Sequence, residues 1–148
     1  MRIIFTIIFF TLALSLNSFA QSGENWVAVD SIQGDKLFID VSGLKKQTPP
    51  DIFVWTKQYH SVPLVIESVK DKIHQTKTYY ILNKKNGRYS ILEVIYYDED
   101  GNVLKSFSYK NEVDDGTYKY NYPIMTNTDV YYIYKMLGKY LKENQSEE

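Results

Sequence analysis

Residues 79–109, YYILNKKNGRYSILEVIYYDEDGNVLKSFSY, hold three runs of β-branched and aromatic residues separated by two turn signals. That pattern predicts three consecutive antiparallel strands, a meander at the middle of one sheet. Asn86-Gly87 is the first turn, read as a two-residue hairpin, because Asn and Gly tolerate positive φ at least steric cost. Asp98-Glu99-Asp100-Gly101-Asn102 is the second. With strict alternation, Tyr89, Ile91, Ile95 and Tyr97 fall on one face and Leu92, Val94 and Tyr96 on the other, with Glu93 interrupting the first set. A strand apolar on both faces belongs at the centre of a sheet. In the strand before it, Thr76, Thr78, Tyr80 and Leu82 oppose Lys77, Tyr79 and Ile81. In the strand after it, Val103, Phe107 and Tyr109 alternate with Leu104, Ser106 and Ser108.

The chain has 148 residues, and the first twenty read as an export signal. Met1-Arg2 is a short positive start, residues 3–16 are apolar apart from Thr6, Thr11 and Ser15, and Ser18-Phe19-Ala20 sets small residues where a signal peptidase reads. The run is shorter than the roughly 20 apolar residues of a membrane span. Cleavage is expected between Ala20 and Gln21, leaving residues 21–148 as a single domain with no integral membrane segment. A chain of that length can bury about two-thirds of its unfolded surface. There is no cysteine, so neither a disulfide, a lipidated N-terminal cysteine nor a thiolate metal site is available. The net charge of −1 is spread along the chain without a basic stripe, which argues against nucleic acid.

Ahead of the meander, residues 26–30 and 36–41 form an N-terminal hairpin turned at Gln33-Gly34-Asp35. In its second strand Leu37, Ile39 and Val41 alternate with Lys36, Phe38 and Asp40. Residues 42–50 connect, and Pro49-Pro50 lacks ladder donors. Residues 52–57 are a third strand, with Phe53 and Trp55 on one side and Ile52 and Val54 on the other. Residues 58–75 fit either a short irregular strand or a helical turn; they are read as a loop with one buried edge.

Residues 110–122 are a polar, tyrosine-bearing loop. Thr126, Asn127 and Thr128 are each able to cap a helix predicted over 128–143. Val130, Ile133, Tyr134, Leu137, Tyr140 and Leu141 make its apolar stripe. Gly138 inside that helix suggests a close approach to the sheet. The fold class is therefore α+β: a single antiparallel sheet of about six strands, one C-terminal helix packed on one face, and the other face free to meet water or a partner. The 14 tyrosines suit half-buried strands and also binding surfaces.

No catalytic constellation stands out. His60 and His74 are fourteen residues apart, match no short metal motif, and read as solvated loop histidines. The segment around Gly101 fails as a helix–loop–helix calcium site, since Tyr96 and Phe107 would occupy its first and twelfth positions. Ser42, Ser61, Ser68 and Ser90 lack a nucleophile-elbow context. Glu67, Glu93 and Glu99 carry no indication of an acid–base pairing. No catalytic, cofactor or metal residue is assigned. An enzyme would need a pocket joining His60 or His74 to a carboxylate.

The order of features resembles the surface-adhesin protein E family of exported bacterial proteins. The residues that carry it are Asn25-Trp26-Val27, Phe38-Ile39-Asp40, Val54-Trp55, Tyr80-Ile81-Leu82-Asn83, Arg88-Tyr89-Ser90-Ile91-Leu92, Tyr96-Tyr97-Asp98-x-Asp100-Gly101-Asn102-Val103, and the Pro123-led entry to the helix. The likeness spans residues 25–141 and implies an antiparallel sheet with one C-terminal helix. It also implies adhesion to host matrix and plasma proteins, although no binding residue transfers. Members often carry a cysteine near the equivalent of Asn83 and another near the end of the helix, where this chain has Tyr140 and Leu141; the same fold here would rest on packing. The expectation is a non-enzymatic, adhesin-like binding module without cofactor, exported to the periplasm, cell surface or medium, and contacting a protein through its aromatic sheet face. The alternative is a periplasmic structural or envelope-stress protein.

Overall fold

A computed structural model describes residues 23–32, 34–109 and 120–145. Residues 1–20, read above as an export signal, and residues 110–119, most of the segment read as a polar loop, lie outside the described residues. The elements are β1 (Trp26–Val29), β2 (Lys36–Asp40), a 3-10 turn (Leu44–Lys46), β3 (Asp51–Leu64), β4 (Ile73–Asn83), β5 (Arg88–Tyr97), β6 (Val103–Ser108), β7 (Tyr122–Pro123) and α1 (Asp129–Gln145). Strands β1 to β6 pair antiparallel with their chain neighbours in the order β1-β2-β3-β4-β5-β6. The short β7 joins β5 at Tyr89↔Tyr122 and Arg88↔Pro123, along the edge that β6 leaves unpaired beyond Glu93. Among the described residues no helix is long and apolar enough to cross a membrane.

Alternation sorts the side chains into two layers. Leu37 and Ile39 of β2, Ile52 and Val54 of β3 and Leu82 of β4 join Ile133, Leu137 and Leu141 of α1 in one core. Ile39, Ile52 and Leu82 are 0% exposed, and Ile133 and Leu137 are 1% exposed. Burial of each contributes roughly 1.5–3 kcal/mol relative to exposure. With no cysteine to crosslink the chain, this apolar contact is what holds helix to sheet. Thr128 is the helix cap among the three candidates: its Oγ1 accepts from the Tyr131 amide at 3.2 Å and donates to the Met125 carbonyl at 2.7 Å.

Four sequence expectations change. Residues 58–75 are mostly strand, since β3 runs on to Leu64 and β4 starts at Ile73. Cross-strand pairs Gln58↔Thr76 and Tyr59↔Gln75 hold this extension before the register shifts between Tyr59 and Leu64. In β5 a bulge falls between the pairs Tyr79↔Glu93 and Tyr80↔Ile91. The extra residue reverses the alternation, so Tyr89 and Ile91 share the helix side with Val94 and Tyr96, whereas Ile95 and Tyr97 point away. Strict alternation cannot foresee this. The Asn86-Gly87 turn is longer than two residues: Asn83 pairs with Arg88, the Gly87 amide donates to the Asn83 carbonyl at 3.0 Å, and Gly87 takes φ 61° while Asn86 does not adopt positive φ. Asn83 Oδ1 accepts the Asn86 amide at 2.8 Å and stabilises the four-residue loop instead.

Gly138 marks no close approach, because a Cβ built there meets no other atom within 4 Å. Its backbone freedom is therefore a net cost to the helix. Gly138→Ala is expected to raise stability by up to about 1 kcal/mol, read as a higher urea midpoint at unchanged slope. An unchanged or lower midpoint would show that the position is crowded after all.

Candidate functional site

The side of the sheet turned away from α1 is built by the odd-numbered residues of β3 and β4. The pairs Phe53↔Ile81, Trp55↔Tyr79 and Lys57↔Lys77 lie directly across from each other. The Trp55 and Tyr79 rings stack with centroids 4.7 Å apart and planes at 21°, and Phe53 lies 6.2 Å from Tyr79. Lys57 and Lys77 are like charges face to face, an arrangement that destabilises a sheet on its own. Both ammonium groups are held over indoles. Lys57 Nζ is 4.2 Å from the centre of the Trp26 ring, and Lys77 Nζ is 5.0 Å from that of Trp55 and 5.5 Å from that of Trp26. Lys77 also pairs with Glu24 at 2.8 Å, and Trp26 Nε1 donates to the other oxygen of that carboxylate at 3.1 Å. The hydrogen bond from Lys77 is the main cause that holds the Glu24 carboxyl below its ordinary range. Trp26, Lys57, Lys77, Trp55 and Tyr79 thus form one cationic aromatic ladder over four strands.

This face is not open throughout. Ile81 and Ser90, paired across β4 and β5, are 0% and 4% exposed. Ser90 Oγ accepts the Asn121 amide at 2.9 Å, and the Arg88 guanidinium donates to the carbonyls of Tyr120 and Asn121. The returning chain lies against that corner. Sequence alternation had set Phe53 with Trp55, and Tyr79 with Lys77, on shared faces as the structure has them. It missed the opposed lysines, although their odd positions carried the signal.

The second polar centre corrects the reading of the histidines. Neither lies in a loop: His74 is in β4, and His60 is in β3 with only 5% of its side chain exposed. His60 Nδ1 is 2.9 Å from Asp35 Oδ2, and Nε2 is 2.8 Å from Thr76 Oγ1. The carboxylate accepts only, so Nδ1 carries the hydrogen. Asp35 also accepts from the Ser61 amide, the Ser61 hydroxyl and Gln58 Nε2, at 2.8, 2.9 and 3.0 Å. Gln58 reaches on to Asp129 at the start of α1, and Asp129 accepts the Ile32 amide. The reason for the Ser61 bond is local. Pairing of β2 with β3 ends at Lys36↔Tyr59, and Asp35 supplies an acceptor where the ladder stops. Burial works to raise the Asp35 carboxyl, but the bonds from Ser61 and His60 outweigh it and hold it below the usual range.

Carboxylate, imidazole and hydroxyl stand here in the order of a relay triad, and His60 and Ser61 line a cavity of about 540 Å³ with Gly34, Lys36, Phe38 and Tyr59. This is the joining of His60 to a carboxylate that an enzyme would need. Thr76, however, sits in mid-strand and pairs with Gln58 on one side and Tyr96 on the other. Among the described residues no three His, Cys, Asp or Glu side chains gather as a metal set. The partner of His60 was out of reach of sequence reading, because Asp35 lies 25 residues away and is brought near only by the strand register.

No family model, curated protein or solved structure matches this chain.

A depressed carboxyl stabilises the fold fully above the ordinary titration range of aspartate, and that contribution fades as pH falls through the native value. Stability of the parent chain should therefore drop as pH is lowered below about 4, and Asp35→Asn should be weaker near neutrality with a shallower acid limb. Denaturant midpoints measured across that window check this; parallel limbs would remove Asp35 from the account.

Proposed function

We propose that the chain is an exported, non-enzymatic binding module of the surface-adhesin protein E kind, which meets a protein partner through its cationic aromatic sheet face. The observation that carries this reading is the ladder of Trp26, Lys57, Lys77, Trp55 and Tyr79 on the side that α1 leaves bare. Tyrosine and tryptophan, apolar rings with a polar tip, are enriched where proteins bind each other. The lysines keep such a face soluble until a partner removes the water. Export rests on the signal-like residues 1–20, and family kinship rests on the motif order and on the sheet-plus-helix fold. The non-enzymatic reading rests on the residue order, in which no serine stands in a nucleophile-elbow context.

A periplasmic structural or envelope-stress role is the second reading. It is favoured by the stacking of Trp55 on Tyr79 within the chain and by the lack of a cysteine for lipid attachment.

Two measurements on the full chain separate them. Fractionation with mass spectrometry is expected to find a mature chain starting at Gln21 at the cell surface or in the medium. Surface plasmon resonance against purified matrix and plasma proteins is expected to show binding that weakens by about tenfold or more in Trp55→Ala/Lys57→Glu, since anchors of this type contribute at least about 1.4 kcal/mol. A mature chain confined to the periplasm and silent toward every protein tested would overturn the adhesin-like reading.

A further inference from the structure

We propose that the cavity at the end of β2 and β3 is a binding site for a small organic monocarboxylate with a flat apolar body. Its volume of about 540 Å³ falls in the range of small-ligand sites. Two walls are aromatic. Phe38 and Tyr59 meet edge to face, with centroids 6.1 Å apart and planes at 89°, and so form a right-angled apolar corner. A planar ring laid on one of them presents its edge to the other, the arrangement aromatic groups prefer.

The polar lining decides the charge of the ligand. His60 cannot serve as donor or acceptor, because both ring nitrogens are held, one by Asp35 and one by Thr76. The amide and hydroxyl of Ser61 both donate to Asp35. These groups make a rigid floor with no donor to spare. Asp35 in turn receives bonds from His60, Gln58 and twice from Ser61, so its charge is turned inward. That leaves Lys36, which stands directly across from Tyr59, is exposed, and has no ion pair among the described residues. A single mobile ammonium suits one carboxylate. A phosphate dianion calls for several converging donors, and an amine would meet the like charge of Lys36.

The site adjoins the Trp26–Tyr79 ladder, since Phe38 pairs across from Lys57, but none of its lining residues belongs to the ladder, and the proposal does not depend on the protein-docking reading. Phenylacetate, with benzyl alcohol and phenethylamine as neutral and cationic counterparts, is titrated into the isotope-labelled mature chain and followed by amide NMR. Saturable shifts confined to residues around 34–38 and 59–61 are expected for phenylacetate. Binding should weaken by about fivefold in Lys36→Gln, the scale of one exposed ion pair, and by a similar factor for benzyl alcohol. It should be unaffected by Trp55→Ala. Lys36 is exposed, so its replacement leaves the fold intact. The absence of saturable shifts, equal affinity in Lys36→Gln, or preference for the amine would each overturn the assignment.

Discussion

Leu137 is 1% exposed, and it shares one core with Ile39, Ile52, Val54 and Leu82 of three neighbouring strands. That contact is the hinge of the whole arrangement. An antiparallel meander buries one side only if something covers it. In a chain without cysteine, the one means the described residues show is an amphipathic helix. Once α1 covers the even-numbered side of β3 and β4, the odd-numbered side faces away from it, fully buried at Ile81 and half-buried at Trp55, Lys57, Lys77 and Tyr79. The aromatic ladder and its lysines follow from that division.

The exterior side shows how an open sheet face can hold charge. Lys57 and Lys77 stand opposite each other, yet each lies over an indole, and Glu24 takes up one of the two charges. The result is a surface that is at once apolar, cationic and rigid. At the sheet's far end Asp35 plays a different part. It ends the β2–β3 ladder by side-chain bonds and, through Gln58, links the hairpin to the first residue of α1. The cavity beside it is therefore set in a fixed frame, with Lys36 as its mobile element.

Much of this was legible in residue order. The alternation of Leu37 and Ile39 with Lys36 and Phe38, and of Ile52 and Val54 with Phe53 and Trp55, separated helix-facing from outward side chains as the structure has them. The stripe through Ile133, Leu137 and Leu141 gave the helix and its buried face. What escaped has common physical causes. A bulge at Leu92 is a two-to-one mismatch between strands and leaves no mark in either strand alone. The extension of β3 past Tyr59 is held by pairing with β4 more than by its own polar composition. The Asp35–His60 contact depends on register across a long separation. Gly138 was read as a packing device when it lies in open space, because composition cannot tell a tolerated glycine from a needed one.

The central claim is that apolar contact between α1 and the sheet, unaided by any crosslink, holds the domain together. Equilibrium denaturation of Leu137→Ala tests it most directly, since alanine keeps or improves helix propensity and isolates the lost packing. The account predicts a loss of about 2–5 kcal/mol, enough to unfold a marginal domain of this size. A loss below about 0.5 kcal/mol, the range of an ordinary surface substitution, would contradict it.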